Sequence, residues 1–114
     1  MDSIDSCLGA LVDAVLSSEE YRRYRELKEK ISREPEKKRA INNFRRRNYL
    51  LQRNKENIDL FDEIDKLERE FAKLRQEPLV EEYLAAELSV CRMVQKINRR
   101  LMEKIDLDMD LMDE

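Results

Sequence analysis

A single glycine, Gly9, and two prolines, Pro35 and Pro78, serve a chain of 114 residues. Tight hairpins and left-handed turns draw on glycine. With so little turn material, the chain has few means of reversal beyond short joints between helices. The apolar residues agree, recurring every three or four positions as they do on one face of a helix. Charged residues make up 43% of the chain, so each apolar stripe is narrow. Thin, elongated helices are predicted, with seams that another copy of the chain can complete.

Composition also removes chemistry. The chain has no histidine and no tryptophan, and most active sites need a proton carrier near neutral pH, a metal ligand or a glycine-shaped loop. A net charge of −3 gives no global attraction to nucleic acid or an anionic membrane. The longest apolar stretch, residues 8–12, is far too short to span a bilayer. Asp2, Asp5 and Asp13 stand where a secretory signal would be basic, so none is expected. Cys7 and Cys91 lie far apart and form no CxxC motif. They read as reduced structural thiols of a cytoplasmic protein.

The first helix is predicted from about residue 3 to 16, with Ile4, Leu8, Leu11 and Val15 in 4-3-4 spacing and Val12 and Leu16 widening the stripe. Ser17 and Glu20 form a capping-box pattern. The next stripe, Tyr21, Tyr24, Leu27 and Ile31, has a different phase, so a break is expected near Ser17 and Ser18. Pro35 suits the first turn of a new helix, where its missing N–H needs no partner. Ile41, Phe44, Asn48, Leu51, Lys55 and Ile58 form one seam, and Leu60, Ile64, Leu67, Phe71 and Leu74 a second, offset seam. That slip, beside Asn54 and Asn57, predicts an interruption. Pro78 opens the last helix, with Val80, Tyr83, Val90, Val94, Ile97 and Leu101 on one seam. Tight joints at both prolines imply antiparallel neighbours.

No residue set calls for catalysis or a metal, and no cofactor is expected. Arg39, Asn42, Arg46, Tyr49 and Arg53 share one helix face, roughly opposite Ile41, Phe44 and Leu51. Lys37, Lys38, Arg45 and Arg47 add to its charge. The face reads as a solvated surface, as a dock for an acidic protein surface, or as a contact for nucleic-acid phosphate; arginine's planar fork serves the last two. Ile64, Leu67, Phe71 and Leu74, flanked by Lys66, Glu68 and Glu70, form the candidate oligomer interface. Asn48 and Lys55 interrupt their seam as register-setting polar residues or as an exposed stretch. Glu87 either pairs with an arginine or marks where its seam meets solvent.

The segments SSEEYRRYRELKEKISREPEKKRAINNF and EPLVEEYLAAELSVCRMVQKINRRL resemble the two halves of the YlbF/YmcA family of small bacterial helical proteins. The match runs from about residue 5 to 105. This resemblance implies an all-helical fold that tends to dimerise and acts without catalysis of its own. It also implies a role in competence, sporulation and biofilm regulation, through a complex that modulates an RNA-cleaving enzyme. Some members carry a cysteine-bearing C-terminal tail associated with iron–sulfur binding. This chain ends in IDLDMDLMDE instead, with only Cys91 in its second half, so the cluster is not carried over.

The expected molecule is all-α: an antiparallel helical hairpin or bundle of about four or five helices, elongated and dimeric. One domain spans residues 1–105 and an acidic tail 106–114. Its expected role is a regulatory adaptor, pairing with itself or a related helical chain, with no membrane contact; a nucleic-acid accessory is the alternative class.

Overall fold

The computed structural model describes residues 2–53 and 60–105, arranged as α1 (Ser3–Leu16), α2 (Glu19–Ser32), α3 (Pro35–Arg53), α4 (Leu60–Leu74) and α5 (Pro78–Lys104). Among the described residues there is no strand. The all-helical expectation holds, as do the break before α2 and the placement of both prolines at helix starts. The phase slip at Asn54 and Asn57, the seam positions Lys55 and Ile58, and the tail from residue 106 onward lie outside the described residues.

Local chemistry explains the boundaries. Asp2 caps α1, its carboxylate accepting the Asp5 N–H at 2.9 Å. The Ser17 N–H still bonds to the Asp13 carbonyl at 3.0 Å, so Ser17 belongs to the last turn of α1. The cap of α2 is therefore Ser18, one residue later than the capping-box spacing suggested. Its backbone is extended, with φ −69° and ψ 154°. Its hydroxyl donates to the Val15 carbonyl at 2.7 Å and accepts the Tyr21 N–H at 3.2 Å. One serine thus satisfies both sides of the joint. Before Pro35 and Pro78, the carbonyls of Glu34 and Glu77 accept the N–H groups of Lys38 and Glu81; proline at the first position leaves these bonds intact.

The main layer is α2 packed on α5. Tyr24 stacks on Tyr83 with ring centroids 5.8 Å apart. Glu19 and Arg23, earlier in α2, share a small cleft with Ala86 and Ser89, later in α5, so the two helices run in opposite directions. α3 and α4 form a second antiparallel pair, fixed by Phe44 stacked on Phe71 at 4.0 Å. Lys37 bridges to Glu77 and Arg45 to Glu87, which sets α3 in the same direction as α5. The core between them is small: Leu27, Ile31, Ile41, Val80, Tyr83 and Ala86, with Val80 fully buried.

The molecule measures 51 × 40 × 19 Å with a radius of gyration of 18.6 Å. A compact domain of this length has a radius of about 13 Å. The excess arises because the core covers α2, α3, α4 and the first half of α5 only. α1 holds no buried residue, and the second half of α5 holds none either.

Candidate interaction surface

Arg39, Asn42, Arg46, Tyr49 and Arg53 all face solvent along α3, on the side away from Ile41, Phe44 and Leu51. The 3.6-residue repeat brings heptad positions to nearly the same angle, so they form one continuous strip. Arg39 Nε reaches back to the Pro35 carbonyl at 3.4 Å. Arg53 bonds the Tyr49 hydroxyl at 2.8 Å and lies over its ring. Among the described residues, none of Arg39, Arg46 and Arg53 makes an ion pair.

The neighbouring cations behave differently. Arg45 binds both carboxylate oxygens of Glu87 at 2.6 Å and sits over the Tyr83 ring. Burial pushes the Tyr83 phenol above its ordinary range. Glu87 thus pairs with an arginine, one of the two roles its seam position allowed. Arg47 bridges to Glu70 on α4, and that hydrogen bond holds the Glu70 carboxyl below its usual value. Lys37 joins Glu34 and Glu77, each at 3.0 Å. Sequence spacing did not separate these tethering cations from the strip, because their partners lie on other helices. A weak signal was present: Arg45 and Arg47 are offset from the heptad positions.

The α4 seam is placed inside the chain. Leu67 is buried, Phe71 stacks on Phe44, and Leu74 packs against the main core. Ile64 is half-buried. Asn48 on α3 is half-buried.

Phe61, at the start of α4, is 82% exposed, and further exposed apolar side chains lie on other helices. On α1, Ile4, Leu8, Leu11, Val12 and Leu16 are 40–75% exposed, and on α5, Val94, Leu101 and Met102 are similarly open. An unpartnered amphipathic stripe and a partnered one look alike in sequence, so periodicity alone did not single these out. An open groove of about 680 Å³ runs between α2 and α3, with Asn42 and Lys38 on one wall and Arg25 and Glu29 on the other. Its walls carry mixed charge and offer no nucleophile beside a base. Among the described residues, no group of three or more acidic or thiol side chains could hold a metal, and no helix is long and apolar enough to cross a membrane.

A protein-family model described as control of competence regulator ComK, YlbF/YmcA, matches residues 7–106. No curated protein and no solved structure matches the chain.

Proposed function

Since the chain belongs to the YlbF/YmcA family of competence regulators, we propose that it is a non-catalytic cytoplasmic adaptor that regulates a larger machine by helix-face contact. The α3 strip is the docking face, and its target is an acidic protein surface, within an assembly that includes an RNA-cleaving enzyme. One observation carries this reading. Arg39, Arg46 and Arg53 stay exposed and without ion pairs among the described residues, while Lys37, Arg45 and Arg47 beside them are tied to glutamates. Exposed guanidiniums aligned along 21 Å of helix, at about 1.5 Å per residue, can meet successive carboxylates of a partner. Such complementarity contributes chiefly specificity and encounter rate.

The adaptor works as one domain over residues 1–105 and associates with itself or with a related helical chain. Pairing through Ile64, Leu67, Phe71 and Leu74 would take the form of an exchange, α4 of one copy lying on α3 of the other, because within one chain Phe71 already stacks on Phe44 of α3, Leu67 is buried and Leu74 packs on the core.

The test is the triple reversal Arg39→Glu, Arg46→Glu and Arg53→Glu in the full chain. Co-purification of the native partner should be lost, while helicity by circular dichroism and the mass in solution stay unchanged. Retained partner binding would reduce the strip to a solvated surface. RNA binding by the unmodified chain that weakens steeply from low to moderate salt would instead put these arginines on phosphate.

A further inference from the structure

We propose that α1 of one copy packs on the second half of α5 of another, and reciprocally, so that two chains close into a symmetric dimer. This rests on the self-association reading above and assigns it a surface other than α4. The chain exposes 9894 Å², whereas a compact monomer of 13.8 kDa exposes about 6,600 Å². A standard interface covers about 800 Å² on each partner. The excess is ample for one. Of the thirteen exposed large apolar side chains among the described residues, eight lie on α1 and the second half of α5, and the rest, Phe61 among them, are scattered over α3, α4 and other parts of α5 and its end.

Charge decides how those segments pair. Asp2, Asp5 and Asp13 lie on or at the start of α1, which has no lysine or arginine. The second half of α5 carries Arg92, Lys96, Arg99, Arg100 and Lys104, against the single acid Glu103. Packing α1 on α1, or α5 on α5, sets like charges along an apolar contact and is disfavoured. Packing α1 on α5 sets acid beside base. The apolar stripes also match in period, since Ile4, Leu8, Leu11 and Val15 repeat as Val90, Val94, Ile97 and Leu101 do. Both halves of the complementary pair sit on every molecule, so a second copy satisfies both at once and leaves neither free to extend a chain. Within one molecule the two do not cover each other, as Leu8, Leu11, Val94 and Leu101 all remain exposed.

The experiment is sedimentation equilibrium of the full chain at tens of micromolar, with two charge-reversed variants. One carries Asp5→Lys and Asp13→Lys, the other Arg100→Glu and Lys104→Glu. The unmodified chain should be a dimer, each variant alone should dissociate at least about tenfold more readily, and an equimolar mixture should recover a one-to-one dimer. Recovery on mixing is specific to pairing between chains; α1 folding onto its own α5 would give none, and its absence overturns the proposal. Leu8→Glu with Leu11→Glu replaces no buried residue, should keep the core helices by circular dichroism, and should be monomeric. A dimer that ignores all these substitutions overturns the α1–α5 pairing while leaving self-association standing. A monomeric unmodified chain overturns both, and the arginine-strip test is unaffected by either result.

Discussion

Arg45 and Arg46 differ by one step, about 100° around α3, and that rotation decides what each can do. Arg45 turns toward α5 and meets Glu87 and the face of Tyr83. Arg46 turns to solvent. A tethered arginine and an exposed arginine without an ion pair among the described residues therefore stand side by side on one helix. Arg47 is a second tether, and its partner Glu70 reports on it. The hydrogen bond from Arg47, with Lys66 adding a weaker attraction, lowers the Glu70 carboxyl from its ordinary 4.5. A group lowered in the folded state stabilises the fold above its unfolded value, and that contribution disappears as pH falls through the lowered one. The expected result by NMR is a Glu70 titration midpoint below 4.5 in the folded chain, which Arg47→Gln moves upward. Glu81, held down by Arg75, is the internal control, and its midpoint should stay put. Both carboxylates are well exposed to water, so solvent screens the associated stability and the titration itself is the better readout.

At the level of elements, helix existence was legible because apolar period, proline position and scarce glycine all agreed. The start of α2 was legible to within one residue. Two adjacent serines compete there, and only the backbone bond from Ser17 back to Asp13 assigns the cap to Ser18. Replacing Ser18 with alanine should cost about 1 kcal/mol in urea denaturation, the ordinary worth of a lost cap. Ser17→Ala, at the end of α1, should change stability by less than half of that. Equal losses would mean that the joint shares its capping between both hydroxyls. What periodicity could not supply was which stripe meets which. The seams of α1 and α4 are equally regular, yet Leu67 is buried while Leu8 is 55% exposed. Pairing depends on where joints steer each helix, and that is a property of three dimensions. Glu87 shows the same boundary: its seam position was plain, but its partner lies 42 residues away.

For the whole molecule, the distribution of burial separates the helices that build the core from the one that does not. Among the described residues, every buried side chain belongs to α2, α3, α4 or the first half of α5, and α1 contributes only the half-buried Val15. A helix with no buried residue adds little to the cooperative free energy, because about half of its apolar side-chain surface stays wet in the folded monomer. A chain lacking residues 1–16 keeps Ser18 as the cap of α2 and keeps the entire core. Diluted until the full chain is monomeric, the two should unfold in urea within about 1 kcal/mol of each other. The slope of the transition should fall slightly, in proportion to the smaller surface exposed. A truncated chain without a cooperative transition would show that α1 holds the core from within. Raising the concentration then separates the roles: the full chain should gain stability as it associates, since a bound partner favours the folded state by mass action. The truncated chain should not gain it, because it lacks the helix proposed to pair with a second copy.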